Sequence, residues 1–261
     1  MSARIETGHH ALIVWNDNPD RRNALTPDYY ATLREALDRA AADGDIGAVI
    51  LAGTGDYFSS GGDLNILATR ADLPKRDRAE KIEALHDVIR AIRACPAPVI
   101  AAVEGGAAGA GFALAMACDI VIAAEDAQFA AAYIRAGLTP DGGLTHNLAR
   151  LLPPATVLPL LLHGDSISAS RLFALGAVSE LTAPGGALDA ARHHAHRLGH
   201  GPRTTQTRIK ALAHAAFDRN PDEQLDAERD AMARAQGTPE AAEGISAFLE
   251  KRRPDWGKHR K

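Results

Sequence analysis

A layered α/β fold is predicted by three features of the chain. Short apolar runs alternate with amphipathic helical stretches through the first half, a rhythm that favours helices packed on a sheet over a bundle. Two of those runs, 48–51 and 98–103, lead into glycine turns, and unbroken apolar runs of this length suit strands buried on both faces. From Leu148 onward the pattern turns largely helical, with no linker rich in Pro, Gly or Ser between the halves. For 261 residues, one α/β core (1–200) followed by a helical C-terminal region (201–261) is expected.

The elements follow in order. Residues 12–15 read as a strand, followed by the polar loop 16–23. Thr26 then caps a helix with Pro27 in its first turn, where the missing N–H costs nothing. Tyr30, Leu33, Leu37 and Ala40 supply its apolar stripe. Residues 48–51 form a strand, and 75–94 a charged helix with Ile82, Leu85, Ile89 and Ile92 at helical spacing. Strand 98–103, a glycine turn, helix 107–118 and strand 120–124 complete the first half. Ser168 caps a helix stopped by Gly176. Asn220, Pro221, Asp222 and Glu223 form a capping box with proline in the first turn. Thr238 and Pro239 repeat the device and open a helix that includes Phe248 and Leu249.

Composition narrows the class of function. A hydrophobic share of 46% beside 24% charged residues is that of an ordinary globular protein,. A formal net charge of -4 argues against a nucleic-acid partner, which needs a concentrated basic face. The basic run of Lys251, Arg252, Arg253 and 258–261 reads as a solvated tail. Cys95 and Cys118 have no disulfide or metal-ligand spacing and read as small core residues. Residues 1–10 lack an apolar signal core. The most apolar stretch, 98–124, is interrupted by Glu104, several glycines and Asp119, so no membrane span is expected. The expected location is the cytoplasm. His193, His194, His196 and His200 lie in a polar helical stretch with no acid nearby in sequence, and read as solvated histidines rather than metal ligands.

Two segments share a design that can hold negative charge. Residues 57–64 and 104–111 each follow a buried strand and lead toward helix, and both are rich in glycine. Small residues let a backbone approach a ligand, and N–H groups at a helix start have no internal partner. Two such donors converging on one oxygen would stabilise an enolate. Each turn could also be no more than a tight connection. A dinucleotide fingerprint fits poorly, because Gly106, Gly109 and Gly111 run in the reverse of its order and lie outside the first strand–turn–helix unit.

Taken together, these segments resemble the crotonase (enoyl-CoA hydratase/isomerase) superfamily. The matching pieces are Arg22-Asn23-Ala24-Leu25, the segment from Phe58 to Leu64, the 98–103 strand with its glycine turn, and Met116-Ala117-Cys118-Asp119-Ile120 followed by Ala127-Gln128-Phe129. The 137–143 turn and Phe248 to Pro254 complete a set covering residues 5–256. The resemblance implies a core of repeated ββα units and a helical tail that builds homotrimers or hexamers. It implies an acyl-CoA thioester as the partner, with coenzyme A entering as part of the substrate and no separate cofactor. The two oxyanion-holding N–H groups would fall on Gly62 and Ala110, the latter replacing the usual glycine. Coenzyme A contacts would fall near Arg22, Ala24, Leu25, Ser60, Asp63 and Leu64, with Phe248 and Lys251 toward the adenine–phosphate end.

The resemblance also bears on the reaction. The two water-handling glutamates of the family's hydratases would fall at Ala113 and Tyr133, neither acidic, so efficient classical hydration is not expected. Asp141 matches the acid–base aspartate of some double-bond isomerases of the family. The apolar stretch around it (Ala130, Ala131, Ala132, Ile134, Ala136, Leu138) would raise its pKa by desolvation if it surrounds the carboxylate. Read without the resemblance, the same aspartate suits an ordinary turn. His86 lies where related aryl-CoA dehalogenases place a water-activating histidine, and Tyr133 reads as a hydrogen-bonding pocket wall. An enoyl-CoA isomerase using Asp141 is the leading expectation. Weak hydratase activity, a non-catalytic acyl-CoA binder, and hydrolysis or dehalogenation through Asp141 and His86 are the alternatives.

Overall fold

A computed structural model describes residues 2–259. Met1, at the start of the 1–10 segment, and Arg260 and Lys261, at the end of the basic run, lie outside the described residues. The first hairpin pairs β1 (Ala3–Gly8) with β2 (Ala11–Asn16) in antiparallel register, and α1 (Pro27–Ala42) crosses to β3 (Ala48–Gly53). Helices α2 (Leu64–Ala68) and α3 (Lys75–Ala94) precede β4 (Val99–Val103). A short β5 (Gly106–Ala108), α4 (Ala110–Ala117), β6 (Ile120–Ala124) and β7 (Gln128–Ala130) follow. Then come α5 (Leu144–Leu151), α6 (Pro154–His163), β8 (Ser166–Ser168), α7 (Ala169–Ala174) and β9 (Glu180–Thr182). The chain closes with α8 (Ala187–Gly199), α9 (Arg203–Ala215), α10 (Pro221–Gln236) and α11 (Pro239–Leu249).

The main sheet runs β1-β2-β3-β4-β6-β9, parallel at every pairing after β1–β2. A smaller sheet runs β5-β7-β8. Both faces of the main sheet are covered, which is why its strands read as unbroken apolar runs. One face, with Leu12, Val14, Val49, Leu51, Val99 and Ala101, joins the core that includes α1, α3 and α4. On the other, Ile13, Ile50, Ile100 and Ile122 meet Ala187, Ala191 and Ala195 of α8. Those alanines recur every four residues and form one helical stripe, so the histidine-bearing helix is not polar all round; it is the lid of this face. His193, His196 and His200 are exposed, but His194 lies 2.8 Å from Glu180 of β9, an acid distant in sequence.

The caps behave as expected. Thr26, Ser168 and Thr238 each accept the N–H three residues on, and Asn220 and Glu223 form the reciprocal capping box. Three details differ. The stretch 107–118 is not helical from its start, because 106–108 pair with β7 and the helix begins at Ala110. On α3 the buried positions are Leu85, Val88, Ile89 and Ile92, while Ile82 stays exposed one turn before the core begins. Arg252 of the basic run is not simply solvated but pairs with Glu243 and Glu250.

The helical tail is tied to the core. Lys210 on α9 is nearly buried, pairs with Asp119 at 2.7 Å and donates to the carbonyls of Ile92 and Ala97. Asp119 also receives the Val99 N–H and the His214 ring nitrogen, each at 2.7 Å. Glu240 of α11 accepts from the N–H groups of Thr204 and Thr205 at the start of α9, where a carboxylate is favoured by the unpaired amides and helix dipole.

Candidate active site

The site begins with a buried asparagine. Asn23 has φ 53°, a left-handed conformation that asparagine tolerates better than most side-chain-bearing residues. Its Nδ2 donates to the carbonyls of Thr54 and Tyr57, and its Oδ1 accepts the Asn18 N–H. This staples loop 16–25 to the segment leaving β3. The hydroxyl of Ser59 donates to the Asn23 carbonyl and accepts the Gly61 N–H. The next turn is thereby clamped between two neighbours, with a parallel bridge joining Leu25 to Gly62 and another joining Ser59 to Ala107.

These contacts bring the two glycine turns together. The N–H of Gly62 and that of Ala110, the first residue of α4, donate to no protein acceptor among the described residues. Ala110 opens a helix whose every residue is buried, so its amide and the helix dipole act with little screening by solvent.

Asp141 stands in the turn before α5. The Tyr133 hydroxyl donates to its Oδ1 at 2.8 Å. Burial raises the carboxyl above the usual aspartate range, against the opposing pulls of the Tyr133 hydrogen bond, the His86 charge and its own backbone amide. Tyr133 and Tyr30 are each pushed upward, chiefly by burial and then by the Asp141 charge, so both hydroxyls remain protonated across ordinary pH. The local apolar run does not enclose the carboxylate as a whole. Ile134 and Leu138 are 44% and 42% exposed. The wall comes from afar: a β-carbon on Gly142 would meet the Ala113 methyl at 2.9 Å and Leu85 at 3.2 Å, and the Tyr133 ring lies 4.0 Å from one built on Gly109. Both positions at which hydratase glutamates are expected, Ala113 and Tyr133, therefore flank the Asp141 turn. His86 is one-third exposed and lies 3.4 Å from Glu83.

A hollow of about 400 Å³ is lined by Arg21, Ala24, Ser60, Gly62, Asp63, Leu64 and Asn65. It gathers five of the sequence-nominated residues and adds Arg21 and Asn65. Arg21 pairs with Asp63, which also caps α2 by accepting the Asn65 N–H. The sequence showed arginines at 21 and 22 but not which one turns inward. Arg22 instead lays its guanidinium over the Tyr57 ring, 5.1 Å from the centroid, and Leu25 is buried core. Phe248 and Lys251 lie exposed at the end of α11 and do not line the hollow. A second hollow of about 430 Å³ lies beneath α9, beside Asp119, Lys210 and His214. It includes none of the nominated residues, and its ion group is already mutually satisfied. No cluster able to hold a metal ion occurs among the described residues, nor a helix long and apolar enough to cross a membrane.

The ββα architecture and the paired glycine turns define a crotonase-fold protein. The enoyl-CoA hydratase/isomerase family model matches residues 11–259, and the chain belongs to that family. It is 35% identical over 255 residues to a 1,2-epoxyphenylacetyl-CoA isomerase of Escherichia coli, covering 97% of each chain. It is 31% identical over 254 residues to a crotonyl-CoA hydratase of Syntrophomonas wolfei, covering 97% of this chain and 96% of the other. A crystal structure of an enoyl-CoA hydratase from Polaromonas superposes with a TM-score of 0.94 at 42% identity, covering 97% of this chain and 98% of that one.

Proposed function

We propose that the protein binds an acyl-coenzyme A thioester and shifts a carbon–carbon double bond within its acyl group, with Asp141 carrying the proton. The observation that carries this reading is one desolvated carboxylate flanked by Ala113 and Tyr133 where paired acids would be needed for hydration. In the forward direction Asp141 takes a proton from the carbon beside the thioester carbonyl. The electron pair moves onto the carbonyl oxygen, held by the Gly62 and Ala110 amides, and the conjugated enolate is reprotonated two carbons away by the same carboxyl. Atoms and charge balance with no added cofactor. Coenzyme A enters as part of the substrate, its polar portion lying along the hollow at Arg21, Ser60 and Asn65. Assembly into trimers or hexamers through 201–261 belongs to the same proposal, supported by the exposed Ile209, Phe217, Leu225, Met232 and Phe248.

Asp141→Asn tests the assignment. Conversion of a 3-enoyl-CoA to its 2-enoyl isomer should fall on the order of 10²–10⁴-fold, while calorimetry finds CoA-ester binding unchanged. Undiminished turnover overturns it. Hydration is the second reading, favoured by relatives that carry the hydratase name. Loss of 2-enoyl thioester absorbance to a 3-hydroxyacyl product, faster than isomerisation, selects it. Tight CoA-ester binding with neither product selects a non-catalytic binder. A trapped covalent Asp141 adduct selects hydrolytic or dehalogenating chemistry with His86.

A further inference from the structure

We propose that Tyr133 is the positioning residue of this site: its hydroxyl holds Oδ1 of Asp141 so that Oδ2 alone meets the substrate. The inference rests on the isomerase reading for its catalytic meaning, but the contact itself does not.

The geometry is built from both sides. Tyr133 stands in the helical turn Ala132–Ala136, and its carbonyl accepts the Leu138 N–H at 3.0 Å. Asp141 is eight residues on, with its carbonyl accepting the Leu144 N–H at 3.2 Å and the following Gly142 at φ 59°, set against Ala113 and Leu85. Neither backbone is free to swing, and the two side chains meet at 2.8 Å between them. The tyrosine ring also lies beside Gly109, the cap of α4. One side chain therefore spans from the proposed oxyanion-holding turn to the proposed base.

The chemistry of a phenol suits this task. A carboxylate offers two equivalent oxygens and a broad, two-fold torsion, so an unrestrained base spreads over many orientations. A hydroxyl bonded to one oxygen selects one of them, and reacting groups gain rate from being held in attack geometry. Tyr133 can donate to Asp141 in both protonation states, strongly to the carboxylate and more weakly to the carbonyl oxygen of the acid. Oδ2 can then accept the proton and return it without the carboxyl turning over. Because Tyr133 stays protonated, it cannot remove a proton from water at the place where a hydratase would carry an acid. His86 from α3, itself beside Glu83, and Tyr30 from α1 also lie within electrostatic reach of Asp141.

Tyr133→Phe removes the hydroxyl and keeps the ring. The acid limb of the kcat–pH profile should move up by about one pH unit, because a hydrogen bond favouring the charged carboxylate is lost. At the pH optimum kcat should fall roughly tenfold while KM changes little; a purely structural role would move neither the limb nor that ratio. Infrared difference titration supplies a readout independent of turnover. The protonated-carboxyl band missing from Asp141→Asn should, in Tyr133→Phe, shift to higher wavenumber and titrate at higher pH. An unmoved band and an unmoved acid limb overturn the inference while leaving the isomerase reading intact. Full turnover by Asp141→Asn, with the band shifted in Tyr133→Phe, overturns the isomerase reading and leaves Tyr133 as the partner that positions Asp141.

Discussion

Gly61 lies against the amide of Ala110: a β-carbon at Gly61 would stand 2.8 Å from that nitrogen and 2.5 Å from the Ala108 carbonyl oxygen. The two turns approach each other across a gap that only a hydrogen atom can fill. Gly61 also has φ 86°, where any side chain adds strain.

Gly61→Ala should therefore push the turns apart. The expected cost is about 1–3 kcal/mol of stability from strain and overpacking, read as a lower urea midpoint. Turnover of a 3-enoyl-CoA should fall by roughly 10²-fold or more, as for loss of one oxyanion donor. Unchanged turnover in a folded variant would remove the Gly62–Ala110 pair from the mechanism.

Asp141 should weaken the fold at neutral pH. Its carboxyl titrates higher when folded than when unfolded, so between those two values the native state binds the extra proton. Stability from this group is lost as pH rises through that window and stays lost above it. Asp141→Asn should accordingly gain stability relative to wild type as pH rises, levelling off above the folded pKa. Urea midpoints of both proteins across a pH series check the sign; a flat or falling difference contradicts it.

Asn23→Ala should destabilise strongly, because it leaves the carbonyls of Thr54 and Tyr57 and the N–H of Asn18 without their partner. The expected loss is about 2–4 kcal/mol. CoA-ester affinity should weaken with it because loop 16–25 is no longer stapled to the segment leaving β3, although the Ser59 bond to the backbone carbonyl of residue 23 survives the substitution. Chemical denaturation and calorimetry measure the two effects.

Lys210→Met should cost about 3–5 kcal/mol by leaving Asp119 without its ammonium partner. Adding Asp119→Asn to that variant should recover a large part of the loss. If the double variant is as weak as the single, packing of α9 rather than the ion pair supports this contact.

Much of the fold could be read locally. Thr26, Ser168, Asn220 and Thr238 announce their helices through a cap and the residues just beyond it, and the 48–51 and 98–103 runs mark strands covered on both faces. β1 leaves no such local mark because ARIETG at the sheet edge alternates and carries charge, without the apolar run of a central strand. The 106–108 segment resembles a helix start because glycine and alanine carry little strand preference; its pairing with β7 decides otherwise.

The sequence by itself determined the layered α/β class, the positions of the caps and the two glycine turns, features that depend on chemistry within a few neighbouring residues. Asp141 stood apart from an ordinary turn aspartate only through the family resemblance. Only the tertiary structure decided that Arg21 faces the hollow and Arg22 stacks on Tyr57, that the Asp141 turn is walled by Leu85 and Ala113, and that Tyr133 donates to its carboxylate. Such contacts depend on how distant helices and turns pack around one another, and the small residues that permit the approach leave no periodic signature along the chain.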